Sequence, residues 1–317
     1  MKKVLFVDTV HPLLWKQLEK EGYKCIEGYS LSKEEIVAQH KDVFGIIIRS
    51  RLRIDSNFIA CFSDLTFIAR AGSGMENIDH EYANSKGIHC FNAAEGNRQA
   101  VAEHALGMLL GLFNNLNKAD KEVRKGLWKR EENRGLELSG KTVGLIGYGN
   151  NGSAFAEVLS GFSVKILAYD KYKTNYSSER DVESDMQTIF QEADILSLHI
   201  PLTEETQHLV NDTFINQFKK PIFIINTSRG QCLNTNALVE NLQTGKVLGA
   251  CLDVLEHEKS SFENLKDYPS ELKLLLASEK VILSPHVAGW TQESKLKLAQ
   301  VLLQKIMAIK KKNHLKK

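Results

Sequence analysis

One arginine, a group of acids and one histidine follow three apolar runs in the last third of the chain. Arg229 ends Asn226-Thr227-Ser228-Arg229 behind the run 222–225. Asp253, Glu256 and Glu258 follow the run 247–252, and His286 lies in Ser284-Pro285-His286 behind the run 281–283. A guanidinium can grip a carboxylate with two prongs and polarise the carbonyl next to it. An imidazole exchanges protons near neutral pH, and a neighbouring carboxylate steadies its charged form. Such a set suits an alcohol–carbonyl couple, in which a proton moves together with a hydride. Singly, each residue has a structural reading as a surface ion pair, a solvated loop charge or a core histidine. Their arrival at one sheet edge argues for a site.

A second constellation names a hydride carrier. Residues 141–170 read as a strand, then Gly147-x-Gly149-x-x-Gly152 opening a helix, then a second strand ending at Asp170, 18 residues after Gly152. A bare glycine pattern is weak, but the strand, helix, strand and terminal acid in order make a dinucleotide fingerprint. Gly147 serves the tight turn, Gly149 a close approach to pyrophosphate and Gly152 helix–strand packing. The helix start at Asn150, Asn151 and Gly152 offers free N–H groups to the phosphates. Asp170 suits ribose hydroxyls and repels a 2′-phosphate, so NAD is expected over NADP. The nearby Lys171 and Lys173 soften that preference.

The elements that must hold these groups alternate along the whole chain. Strands are expected at 3–7, 24–27, 44–48, 66–69 and 88–91, and again at 142–146, 164–169, 195–198, 222–225, 247–252 and 281–283. Helical patterns lie between them, including 12–21 and 33–40. The fold class is therefore α/β, with two doubly wound parallel sheets. A long helix is expected at 97–115, a polar segment at 117–140 and a last helix at 292–309. With five strands and little else to cover them, residues 1–97 are expected to recruit residues 287–317 as one substrate-binding domain. Residues 98–286 form the dinucleotide-binding domain.

Composition excludes other classes. The 317 residues are 43% apolar and 25% charged, ordinary for two soluble globular domains. With 41 basic and 39 acidic residues, the net charge of +2 gives no reason to expect nucleic acid. The excess base sits mostly in residues 310–317, read as a solvated helix end. Five scattered cysteines form no C-x-x-C pair, so no metal site is expected and a reducing cytoplasm fits. No leader and no membrane span are expected.

At these residues the chain resembles the D-isomer-specific 2-hydroxyacid dehydrogenases, and among them the D-3-phosphoglycerate dehydrogenases. The likeness rests on residues 70–79 (RAGSGMENID), 97–103 (NRQAVAE), the glycine motif, Pro201-Leu202, residues 226–230, residues 253–258 and residues 284–291 (SPHVAGWT). It implies a flavodoxin-like substrate domain beside a Rossmann domain, with a cleft between them. Arg229 is then the substrate-carboxylate holder, His286 the acid/base and Glu258, five residues after Asp253, its partner. It adds cofactor contacts at Ser73, Asn150, Asn151, Ile200, Thr227, Ser228, Asp253 and Gly289, with Asp253 at the nicotinamide carboxamide. The amides of Ser73 and Gly74 resemble a carboxylate clamp, and Arg49-Ser50-Arg51 resembles the arginines that face a substrate phosphate, with Arg53 and Arg70 as further candidates.

The resemblance implies oxidation of D-3-phosphoglycerate by NAD, a step of serine biosynthesis, in a homodimer joined through residues 97–115 and the segment near Trp128. With the chain ending at Lys317, a serine-binding regulatory domain is not expected. Asn150-Asn151 replaces the family's usual small residue, Ile200 stands where many relatives carry Thr, and Trp290 near His286 could narrow the pocket. Within the class, a glyoxylate/hydroxypyruvate reductase or D-lactate dehydrogenase is the alternative. Glu258 argues against formate oxidation, where an amide partners the histidine. A different class is an NAD-sensing, corepressor-like scaffold, which also keeps the three groups.

Overall fold

The computed structural model describes residues 1–178, 181–258 and 269–314, with side-chain burial resolved through residue 309. The chain divides into two compact units, residues 1–98 with 290–317, and residues 99–289. The first boundary falls inside the helix Ala94–Phe113. The second lies three residues beyond the sequence expectation. The Asp253 carboxylate accepts N–H bonds from Val287 and Ala288, which ties residues 287–289 to the dinucleotide unit.

The first unit carries β1 (Lys3–Phe6), β2 (Lys24–Glu27), β3 (Gly45–Ile48), β4 (Phe67–Arg70) and β5 (His89–Phe91). They form one parallel sheet in the order β2-β1-β3-β4-β5, the flavodoxin-like arrangement. Strand alternation sends Leu5, Ile46 and Ile68 to one core, and Val4, Phe6, Ile47 and Phe67 to the other. The second core is closed by Leu14 and Leu18 of the helix Pro12–Lys20, and by Ala299, Leu302 and Ile306 of the last helix, Gln292–His314. That last helix joins the helix Pro12–Lys20 in covering the apolar side chains of β1, β3 and β4 on this face.

The second unit carries β6 (Thr142–Ile146), β7 (Lys165–Tyr169), β8 (Asp181–Glu183), β9 (Ile195–Leu198), β10 (Ile222–Asn226), β11 (Val247–Leu252) and β12 (Val281–Leu283). Their order, β12-β11-β10-β9-β6-β7-β8, is the doubly wound nucleotide-binding sheet with one further strand. The order reverses between β6 and β9, so loops after β6 and β9 open a crevice at the carboxyl edge. β6, β9 and β10 are buried along their whole length, which is why they read as unbroken apolar runs.

Two elements depart from the sequence reading. β8 (DVE) offers one apolar residue between two acids and forms only by pairing with β7 as an edge strand. The polar segment holds a helix, Leu116–Arg124, with no buried residue, whose few apolar side chains are set among charged and polar ones.

Candidate active site

β10, β11 and β12 are parallel neighbours, so their carboxyl ends deliver Arg229, Glu258 and His286 along one edge. The loop after β10 is pinned by Asn226, which is fully buried. Its Oδ1 accepts from the Ser228 amide at 3.0 Å and hydroxyl at 2.7 Å, and its Nδ2 donates to the Arg229 carbonyl at 2.9 Å. A Cβ on Gly230 would lie 2.0 Å from the Leu255 carbonyl oxygen. Only glycine lets the loops after β10 and β11 close upon each other, and this brings Arg229 beside the acidic loop. The Arg229 guanidinium itself donates to the Ser228 carbonyl at 2.7 Å.

Two glutamates compete for the histidine, and geometry separates them. Glu256 accepts from the Thr235 amide at 2.7 Å and contacts His208 Nε2 at 2.7 Å. Burial alone would raise its pKa; the Thr235 hydrogen bonds and the His208 charge outweigh that and lower it. Glu258 is left for His286, and its Oε1 meets His286 Nδ1. That contact fixes the ring and leaves Nε2 as the nitrogen open to a substrate.

His286 has φ of 54°, left-handed backbone that a side chain with Cβ adopts at a cost. Its amide donates to the carbonyls of Asp253 at 2.8 Å and Ser284 at 3.1 Å. The Asp253 side chain is 1% exposed. Its Oδ1 accepts from Ser284 Oγ at 2.6 Å and the Val287 amide at 2.9 Å, and Oδ2 from the Ala288 amide at 2.8 Å. The carboxylate expected at a nicotinamide is thus committed to the loop that carries His286. Gly289 follows directly.

The glycine loop fits a dinucleotide. Gly147 has φ of 92°, and a Cβ there would lie 2.4 Å from the His199 carbonyl oxygen. On Gly152 it would lie 2.0 Å from the Gly147 carbonyl oxygen, whereas Gly149 faces open space. The helix Asn150–Leu159 begins with no side-chain cap, so its first amides remain available to phosphate oxygens. Asn151 Oδ1, Thr227 Oγ1 and His199 Nδ1 are buried without a hydrogen-bond partner, polar atoms at the ends of β6, β9 and β10 that the protein alone does not satisfy. Ile200 presents only carbon to this loop, its Cγ2 being 3.1 Å from the position of a Gly147 Cβ. Ser228 is turned inward onto Asn226.

Asp170 is held in place by the amides of Tyr148 (2.8 Å), Tyr172 (2.9 Å) and Lys173 (3.0 Å). The two lysines that could welcome a 2′-phosphate are engaged. Lys171 pairs with Glu205 at 2.6 Å, and Lys173 Nζ donates to the Tyr148 carbonyl at 3.0 Å.

The remaining expected residues sit in the other unit. Ser73 and Gly74 follow β4; the Ser73 hydroxyl donates to Asn97 Oδ1 at 2.8 Å, while among the described residues the two amides have no acceptor. Arg49 and Arg51 follow β3 but differ. The Arg51 guanidinium donates to the carbonyls of Val7 (3.0 Å), Gly28 (2.9 Å) and Leu31 (2.9 Å), so three of its five N–H groups tie its loop to the segments after β1 and β2. The Arg49 guanidinium lies 4.3 Å from the centroid of the Trp290 ring and has no hydrogen-bond partner among the described residues. Arg70 Nε donates to the Arg49 carbonyl at 3.0 Å, and Arg53 is exposed.

Three residues escaped the sequence reading. The Ser284 hydroxyl bridges to Asp253. His104 Nε2 lies 2.8 Å from that hydroxyl, although 180 residues separate the two in the chain. His199 is buried against Phe155, and burial pushes its pKa down to about 4. A histidine directly after an apolar strand was the available signal for His199; His104 had none beyond following residues 97–103.

Known proteins share this architecture. Residues 106–288 match the family described as D-isomer specific 2-hydroxyacid dehydrogenase, NAD binding domain. The hydroxypyruvate reductase of Thermotoga maritima is 36% identical over 277 residues, covering 87% of this chain and 88% of that one. The D-3-phosphoglycerate dehydrogenase of Archaeoglobus fulgidus is 30% identical over 98% of this chain but only 57% of its own length, so this chain spans little more than half of it. The D-lactate dehydrogenase of Aquifex aeolicus, solved with NAD and lactic acid, superposes with a TM-score of 0.80 at 27% identity, covering 98% of this chain and 96% of that one. Glycine loop, sheet order and sequence together make this chain a member of the D-isomer-specific 2-hydroxyacid dehydrogenase family, an NAD-dependent oxidoreductase.

Proposed function

We propose that the chain oxidises D-3-phosphoglycerate to 3-phosphohydroxypyruvate, with Arg229, Glu258 and His286 as its reacting groups. The contact of Glu258 with His286 Nδ1, beside Arg229, carries this reading. The glycine loop, the open start of the helix Asn150–Leu159, Thr227 and Asp170 hold NAD, which supplies the hydride acceptor when bound. Arg229 grips the substrate carboxylate and orients the adjoining C2 hydroxyl. His286 Nε2 removes that hydroxyl proton, and Glu258 stabilises the resulting imidazolium. In the reverse direction the same nitrogen returns the proton.

The substrate assignment rests on Arg49. A guanidinium stacked on Trp290 with its N–H edge uncommitted is suited to a dianionic phosphate. The second reading, hydroxypyruvate or glyoxylate reduction, draws on Arg51, whose donors are largely taken up by carbonyls, and on the Thermotoga maritima relative. A substrate panel run with NAD and NADP side by side, read by NADH absorbance, separates the two. A kcat/KM for phosphoglycerate or phosphohydroxypyruvate above that for glyoxylate and hydroxypyruvate is expected. The opposite order overturns the phosphorylated substrate. No turnover on any 2-hydroxy or 2-oxo acid favours the NAD-sensing scaffold.

We also place the protein in a reducing cytoplasm as a homodimer. Five unpaired cysteines, with the thiols of Cys25 and Cys251 pushed up to about 12 by burial, support the compartment. Among the described residues no helix is long and apolar enough to cross a membrane. Leu116, Val123 and Trp128, 56%, 51% and 78% exposed, support a second copy as the cover for this face. Light scattering at the monomer mass overturns the dimer.

A further inference from the structure

We propose that His104 is a positioning residue for the reaction, holding the loop that carries His286 through Ser284 and Asp253. The proposal rests on the reading of His286 as the acid/base. His104 lies on the helix Ala94–Phe113, one turn before Met108, so both side chains present the same face. Ser284 Oγ sits between them, 2.8 Å from His104 Nε2 and 3.7 Å from Met108 Sδ.

The hydrogen-bond directions follow from the groups present. Asp253 is an acceptor for the Val287 and Ala288 amides, and Ser284 Oγ lies 2.6 Å from its Oδ1. The Ser284 hydroxyl proton therefore points at the carboxylate. Its oxygen is left to accept, and the donor it faces is His104 Nε2–H. His104 is thereby held with a proton on Nε2. The chain of donors runs from imidazole to hydroxyl to carboxylate, and His104 Nε2 is itself 3.6 Å from Asp253 Oδ1.

What this network restrains is costly. His286 occupies left-handed backbone at φ 54°, which relaxes unless neighbouring groups hold it. Its amide bonds to the carbonyls of Asp253 and Ser284, and the two amides that follow it end on the Asp253 carboxylate. Among the described residues, the backbone restraints on 286–288 thus pass through Asp253 or Ser284, while Glu258 holds the ring. His104 is the side chain that reaches both from outside the loop. Withdrawing its N–H leaves the Ser284 hydroxyl short of one partner and free to rotate off Asp253.

The test uses the full chain. His104→Leu is expected to lower kcat about tenfold or more with the KM for NAD within twofold, and to speed amide hydrogen exchange at residues 286–288. His104→Gln, whose amide nitrogen can reach the Nε2 position, should recover most of both losses. Nitrogen-15 NMR should show His104 with a proton on Nε2. Ser284→Ala should mimic His104→Leu, and the double variant should be no worse than either single one. Unchanged exchange at 286–288 in His104→Leu, a kcat within twofold of the parent, or a His104→Gln as slow as His104→Leu overturns the proposal. If His104→Leu does not fold, Ser284→Ala and His104→Gln decide it by the same readings. Failure of the His286 reading looks different, because His286→Ala would then turn over normally while exchange in His104→Leu still rises.

Discussion

Two sheet edges carry the residues of interest, and they are built differently. In the seven-stranded unit, the polar side chains at the ends of β10 and β11 are buried. Asn226 is 0% and Asp253 1% exposed, and each satisfies two or more groups of its own or a neighbouring loop. In the five-stranded unit, the groups after β3 and β4 are half-exposed or exposed, and what they offer is backbone amides and one stacked arginine. At the first edge Glu258 and His286, the pair proposed for proton transfer, are already in contact in the protein alone. The second has donors without partners. Bond-making groups demand fixed geometry within a few tenths of an ångström, whereas an anion's charge can be met by several arrangements of donors. On the proposed function, the contrast is between an edge that would perform chemistry and one that would select what undergoes it.

The sharpest break of that contrast is His286→Ala. If the edge of β10–β12 performs the proton transfer, kcat falls about 10³-fold or more while NAD binding, read by NADH fluorescence, stays within twofold. Near-normal turnover would dissolve the difference between the edges.

The rigid edge also predicts a pH dependence of stability. His199 is buried beside the glycine loop, and burial holds its pKa near 4 against an ordinary 6.5. The unfolded chain therefore binds a proton there at higher pH than the folded one. The contribution is complete above about pH 6.5 and is lost as pH falls through 4, amounting to about 3 kcal/mol. Chemical unfolding at pH 7 and pH 4.5 measures it. His199→Gln, which cannot titrate, should flatten this part of the profile; an unchanged profile would remove His199 as its source.

The edges also differ in how much of them the sequence made legible. Strands such as Gly45–Ile48 and Ile222–Asn226 are covered on both faces, so their composition alone announces them. Arg229, Glu258 and His286 were readable because parallel strands deliver their successors to one edge. β8 was not, since an edge strand needs only one neighbour and little apolar content. Nor were the bonds of Asp253: a carboxylate behind a strand gives no local sign that it accepts from a hydroxyl and two amides 31 to 35 residues away. The acceptors of Arg51 on residues 7, 28 and 31 come from three segments, and no local pattern encodes such a meeting.

The smallest effect divides two arginines two residues apart. Arg51 holds three carbonyls, so Arg51→Gln should cost about 1–2 kcal/mol of stability, seen as a Tm lower by a few degrees. Whatever KM change follows should be shared by phosphorylated and unphosphorylated substrates, since the whole loop loosens. Arg49 has only the Trp290 ring beneath it, a contact of about 0.5–1 kcal/mol at an exposed position, so Arg49→Gln should leave Tm nearly unchanged. Its KM for a phosphorylated substrate should rise about 10- to 100-fold, while that for glyoxylate barely moves. Trp290→Ala should follow Arg49→Gln at reduced size, because the guanidinium keeps its charge but loses the surface that orients it. Equal losses on both substrates in Arg49→Gln would return Arg49 to the structural role of Arg51, and the selecting edge would then rest on the Ser73 and Gly74 amides alone.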